Sequence, residues 1–180
     1  EDHPLYERIL RMNRGSTDFS TWQSNARGVD LNHNYNAGWG EAKMLEREYG
    51  IFGAGPTRYG GEYPESEPET VAMCRFVRTE HPDMVVAFHS QGEEIYYDFE
   101  GYSPPDALQK AQIMSKTTGY KLSKPEGIAA AGGFKDWFID KFDRPGYTIE
   151  IGKGENPLPL SDFDHIYLKL ADFFAMTPLL

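Results

Sequence analysis

Two residues in this sequence have the type and the setting for chemistry, His89 and Glu150. His89 closes the run Met84-Val85-Val86-Ala87-Phe88, whose apolar character predicts a buried strand. It also heads the polar cluster Ser90-Gln91-Gly92. An imidazole at the end of a core strand has rigid support behind it and open space in front, a setting that suits a metal ligand. A hydrogen-bonded histidine at a strand end is the plainer alternative, and one histidine does not separate the two. Glu150 lies in Tyr147-Thr148-Ile149-Glu150-Ile151-Gly152. Alternation puts Tyr147, Ile149 and Ile151 on one face of a strand, with Thr148 and Glu150 on the other. A carboxylate flanked by two isoleucines is partly desolvated, which raises its pKa and readies it as a general base. The alternative is an edge strand whose polar face looks into solvent.

The elements that would position these residues follow from local pattern. His3 to Met12 predicts a short helix, followed by turn chemistry at Asn13-Arg14-Gly15-Ser16. Val29 and Leu31 alternate around Asp30 and suggest a brief strand running into the loop Asn32 to Gly40. Gly53 to Pro64 is a long Gly- and Pro-rich loop, a candidate rim or lid. Ser66 and Glu69 resemble a capping box, and Val71, Cys74, Phe76 and Val77 form the stripe of a helix that ends at Pro82. Ile95 to Tyr97, with Phe99, suggests another strand. Pro104 to Thr117 predicts a helix with Leu108, Ala111 and Met114 inward. A small-residue loop, Gly127 to Gly133, leads into an aromatic helix over Phe134 to Phe142. Ser161 to Ala175 completes the set, with Ser161 as cap and Phe163, Ile166, Leu170 and Phe173 on one face. Helices alternating with strands indicate the α/β class.

Three segments, in order, resemble the zinc metallocarboxypeptidases of the carboxypeptidase A type. They are Gly28-Val29-Asp30-Leu31-Asn32-His33-Asn34-Tyr35, then His89-Ser90, then Gly132-Gly133 with Asp136-Trp137 and Tyr147-Thr148-Ile149-Glu150. Within that family, Gly15-Ser16-Thr17-Asp18-Phe19, the run His89 to Tyr96 and Asn156-Pro157-Leu158-Pro159-Leu160 are similar to the bacterial γ-D-glutamyl-L-diamino acid endopeptidases. These enzymes cut peptidoglycan stem peptides. The resemblance implies the C-terminal two-thirds of a three-layer α/β/α domain with a mixed sheet, spanning residues 1–180 as one partial catalytic domain. It implies a Zn2+ cofactor with His89 as one ligand, Glu150 as the catalytic carboxylate and Arg27 as the candidate oxyanion-stabilising cation, with Gln23 an alternative occupant of that position. Asp30 corresponds to a carboxylate that orients a zinc-bound histidine. Asn32 and His33 fall where a substrate carboxylate is held, and Glu93 or Glu94 would pair with the ammonium of diaminopimelate or lysine.

The sequence also departs from that family. The first two zinc ligands of the family come from a His-x-x-Glu motif. Here the residues three places after His3, His33, His81, His89 and His165 are Tyr6, Asn36, Met84, Gly92 and Leu168. The remaining ligands are therefore expected upstream, and a chain that starts at Glu1 rather than Met reads as processed or a fragment. His33 replaces the arginine with which the family's exopeptidases grip a terminal carboxylate, which favours the endopeptidase branch. Ile128 lies near the place of the family's lid tyrosine.

Composition narrows the classes. A net charge of −10 and a pI near 4.9 disfavour nucleic acid as a partner. Cys74 is the single cysteine, so an internal disulfide and a cysteine-based zinc site are both excluded. No apolar run approaches the ~20 residues that a membrane span needs. The expected partner is a peptide or muropeptide substrate, in a bacterial compartment that the sequence leaves open. Two further functions remain, an ordinary C-terminal metallocarboxypeptidase and a non-catalytic peptide-binding module.

Overall fold

A computed structural model describes residues 3–180. The chain forms two compact units, one made of residues up to Pro82 together with Glu126–Trp137, the other of Asp83–Pro125 and Phe138–Leu180.

The second unit holds a mixed four-stranded sheet. Its strands are β1 (Val85–His89), β2 (Glu94–Tyr96), β3 (Lys121–Leu122) and β4 (Gly146–Glu150), in the order β1-β4-β2-β3. β1 runs parallel to β4, β4 antiparallel to β2, and β2 parallel to β3. Tyr147 and Ile149 of β4, with Ile95 of β2, turn one face toward α4 (Ala107–Thr118) and α6 (Phe163–Met176). There they pack with Ala111, Met114, Leu170 and Phe173 in a core from which water is excluded. The Tyr147 hydroxyl reaches the Ala107 carbonyl at 3.0 Å, so the buried phenol is satisfied.

Several expectations shift in detail. β1 is an edge strand of this sheet and only half-buried, with Phe88 44% exposed. β4, by contrast, is central, and Thr148 is buried. On α4 the inward stripe is Ala107, Ala111, Met114 and Thr118, while Leu108 faces out. Ser161 is not the cap of α6; it sits in a 3-10 turn before it, and Phe163 is exposed.

The first unit contains α1 (Tyr6–Met12), α2 (Trp39–Glu48) and α3 (Pro68–Glu80), and α5 (Phe134–Phe142) begins in it. No strand forms at Val29 and Leu31. The Asp30 amide donates to the Tyr59 carbonyl at 2.8 Å, and the Val29 carbonyl accepts from Asn25 at 2.8 Å. Leu31–His33 then turns as a 3-10 helix. α2 was not anticipated, because its sequence is mostly polar. Glu46, 1% exposed, explains it: its carboxylate pairs with Lys43 and accepts the Gly60 amide at 2.8 Å, fixing the Gly53–Pro64 loop. α3 begins without a Ser66 cap. The fully buried side chain of Asn34 does that work from a distance, accepting the Glu67 amide at 3.1 Å while donating to Ser66 Oγ at 2.9 Å. α3 buries Thr70, Cys74 and Val77, whereas Val71 and Phe76 are exposed. Burial pushes the Cys74 thiol up to about 12, so this cysteine is inert packing.

Candidate active site

His89 and Glu150 are register partners on the neighbouring strands β1 and β4. Residues paired across a sheet project to the same face. Both therefore stand opposite the α4–α6 core, at the C-terminal ends of two parallel strands, where ligands of open α/β sheets are held. Glu94 of β2 pairs with Glu150 from the other side, so its carboxylate shares that face. Tyr96, next on that face of β2, donates its hydroxyl to Glu94 Oε2 at 3.0 Å.

This setting determines the chemistry of Glu150. Burial, and then the negative charge of Glu94, push its carboxyl up to about 7. A carboxylate of that basicity takes and returns protons near neutral pH. Burial also raises the Tyr96 phenol, aided by its hydrogen bond to Glu94 and by the charge of Glu150. Gly92 covers the pair at φ +156°; a Cβ there would sit 3.4 Å from Glu94 Cγ and 3.6 Å from Glu150 Cβ. Those are ordinary contacts, so it is the backbone conformation that favours glycine here.

Glu93 has a different environment from Glu94. Its Oε1 is held by Lys169 Nζ at 2.5 Å and its Oε2 by Lys153 Nζ at 3.1 Å. Burial alone would raise its pKa, but these two lysines outweigh burial and hold it below the ordinary value. Of the two neighbouring acids, only Glu94 thus lies on the Glu150 face.

The other candidates belong to the first unit. Asp30 is buried, and its Oδ2 accepts the Arg58 amide at 2.8 Å and the Thr57 hydroxyl at 3.3 Å, with His33 Nε2 4.0 Å away. The same Thr57 hydroxyl lies 2.8 Å from Gln23 Oε1, so its one proton is shared between Gln23 and Asp30, which ties Gln23 into the same loop. Asn32 Oδ1 accepts the Phe134 amide at 3.1 Å, joining the Asn32–His33 turn to the start of α5. The His33 ring is nearly buried, and its Nδ1 has no hydrogen-bond partner. Arg27 is the most open of the set, its side chain 58% exposed and 3.8 Å from Glu67 Oε2. A surface cavity of about 720 Å³ opens beside it, floored by Val71, Ala72 and Phe76.

The turn carrying Asn32 and His33 leaves no space behind it. Gly132 has φ +80°, and a Cβ there would lie 2.9 Å from the His33 carbonyl oxygen. Gly132→Ala is expected to cost about 1–3 kcal/mol, from backbone strain and overpacking together. A thermal melt should show a drop of several degrees, and an unchanged midpoint would refute this account of the turn.

Among the described residues, no three His, Cys, Asp or Glu side chains gather in a way that could hold a metal ion. A catalytic zinc takes three protein ligands. The described residues by themselves therefore do not fit such a centre, although His89 presents one imidazole beside Glu150.

A mixed sheet with packed helices, carrying a histidine and a glutamate in register at the C-terminal ends of two parallel strands, defines an α/β domain. The chain belongs to the zinc carboxypeptidase family, whose model matches residues 5–172. It is 39% identical over 170 residues to γ-D-glutamyl-L-diamino acid endopeptidase 1 of Lysinibacillus sphaericus, covering 94% of this chain and 41% of that protein. It is 40% identical over 123 residues to murein peptide amidase A of Escherichia coli (strain K12), covering 66% of this chain and 47% of the relative. Among solved structures, thrombin-activatable fibrinolysis inhibitor superposes with a TM-score of 0.63 at 22% identity, over 82% of this chain and 40% of that one, a likeness of fold. The chain thus spans less than half the length of these relatives. No helix among the described residues is long and apolar enough to cross a membrane.

Proposed function

We propose that this chain belongs to a zinc-dependent peptidase that hydrolyses γ-D-glutamyl–diaminopimelate bonds in peptidoglycan stem peptides, with Glu150 as general base. The observation that carries the reading is Glu150 itself: a half-buried carboxyl at about 7, in register with His89. Glu150 would draw the proton from the attacking water and hand it to the leaving amine. The zinc that this family uses would take His89 as one ligand and the rest from outside residues 1–180. Arg27 would offset the oxyanion charge. Asn32 and His33 would hold a substrate carboxylate by hydrogen bonds, and Asp30 would orient an imidazole of the metal centre.

Glu94 is the acid we assign to the ammonium of diaminopimelate, because Glu93 is already neutralised by two lysines. The relatives that cut γ-D-glutamyl-diamino acid and murein peptides support the substrate class. The deciding assay compares γ-D-Glu–diaminopimelate with peptides bearing an α-linked C-terminal residue. Cleavage of the first is expected. Cleavage of the second alone would make this an ordinary metallocarboxypeptidase, and cleavage of neither would leave a peptide-binding module.

A further inference from the structure

The loops that leave the ends of β1 and β4 are fastened to each other by groups that the chemistry above does not use. The Ile151 amide donates to the His89 carbonyl at 2.8 Å, and the Gly92 amide to the Gly152 carbonyl at 2.9 Å. Side chains extend the seam. Asn156 Nδ2 donates to the Ser90 carbonyl at 2.6 Å, Ser90 Oγ lies 3.0 Å from Asn156 Oδ1, and the Gly154 amide donates to Gln91 Oε1 at 3.2 Å. Glu93 adds the charged part. Its side chain is 15% exposed, and each of its oxygens is held by a different lysine, Lys153 from the loop after Glu150 and Lys169 from α6. Exposed ion pairs contribute little; here the carboxylate is mostly buried and Lys169 is 31% exposed, while Lys153, 68% exposed, is the weaker arm and acts together with the hydrogen bonds of the seam. Removing it takes from Lys153 and Lys169 the counter-charge they share.

We propose that Glu93 is a positioning residue. By gripping Lys153 and Lys169 it locks the segment after Glu150 onto the loop after His89, and so fixes the spacing of Glu150 and His89 without touching substrate. The catalytic consequence rests on the hydrolase reading above; the clasp itself does not. Because catalysis depends steeply on placement, loosening the clasp should slow turnover while leaving substrate selection alone.

The test uses Glu93→Gln and the double variant Lys153→Met/Lys169→Met in the complete protein. Two readouts are taken: amide hydrogen exchange at Gly92 and Gly154, and kcat and KM on γ-D-Glu–diaminopimelate and on an analogue lacking the side-chain amine. Both variants should exchange these two amides about tenfold faster or more. They should lose about 10- to 100-fold in kcat on both substrates, with KM and amine preference unchanged. A rise in KM confined to the amine-bearing substrate would make Glu93 a substrate contact and overturn the proposal. So would unchanged exchange at both glycines. If the unaltered protein cleaves neither substrate, the hydrolase reading falls and exchange alone decides the clasp. Should Glu93→Gln not fold, Lys153→Met, which leaves Lys169 to neutralise Glu93, gives the same readouts in milder form.

Discussion

Glu150→Gln should abolish hydrolysis by a factor of about 10² to 10⁴ and at the same time make the protein more stable above neutral pH. The loss follows from the one atom changed: an amide cannot accept the water's proton, yet it keeps the shape that β4 packs around. The gain follows from linkage. The folded pKa of Glu150 is about 7, above its ordinary value of 4.5, so between these limits the folded state binds more protons than the unfolded chain. The stabilisation is complete below the unfolded pKa and fades as pH rises through about 7. Above that pH the native protein carries a half-buried anion that the glutamine variant lacks. After discounting for solvent screening, the difference should be on the order of 1 kcal/mol, or a few degrees in Tm. Melts at pH 5 and pH 8 would show it as a gap between variant and parent that opens only at the higher pH. An inactive variant with no such gap would mean that Glu150 is not desolvated. An active one would remove it from the mechanism.

The alternation of Tyr147, Ile149 and Ile151 against Thr148 and Glu150 was legible because a strand packed on one face writes its period into the sequence. What no local pattern contains is which strand lies beside which. That β4 sits between β1 and β2, and so brings Glu150 between His89 and Glu94, is decided by pairing across the sheet. The same limit separates Glu93 from Glu94. They are identical neighbours in sequence, and only Lys153 and Lys169, far along the chain, distinguish the anchored acid from the one on the Glu150 face. Val29 and Leu31 imitate a strand, but the Val29 carbonyl accepts from Asn25, the Asp30 amide between them donates to Tyr59, and the Leu31 carbonyl accepts from Asn34, so no ladder forms. Ser66 imitates a cap, but Asn34 arrives first, from a buried position that its polar character disguises. At Asp30 and at the start of α3 a distant partner, Tyr59 or Asn34, outcompeted a local preference.

Glu94→Gln should shift the acid limb of the kcat/KM profile to lower pH, by on the order of 0.5–1 unit. The Glu150 carboxyl is raised first by burial and then by the charge of Glu94. Burial survives the substitution and the charge does not, so the limb moves toward the ordinary carboxylate range without reaching it. In the proposed mechanism a general base works only when ionised, and a neighbour that no longer repels its anion lets it ionise sooner. Tyr96→Phe removes the hydroxyl that donates to Glu94 but leaves the charge in place, so it should move the limb far less. Together the two variants separate repulsion from hydrogen bonding. A carbon-13 titration of the Glu150 carboxyl gives the same comparison without any substrate, and its midpoint should fall in Glu94→Gln and stay near that of the parent in Tyr96→Phe. If Glu94 also reads the substrate ammonium, Glu94→Gln loses its preference for amine-bearing peptides at every pH, a vertical displacement of the profile beside the lateral one. A lateral shift alone would confine Glu94 to tuning the base. A limb and a titration midpoint that both stay where they were would mean that the two carboxylates paired across β2 and β4 do not sense each other, and the electrostatic account of Glu150 would have to rest on burial alone.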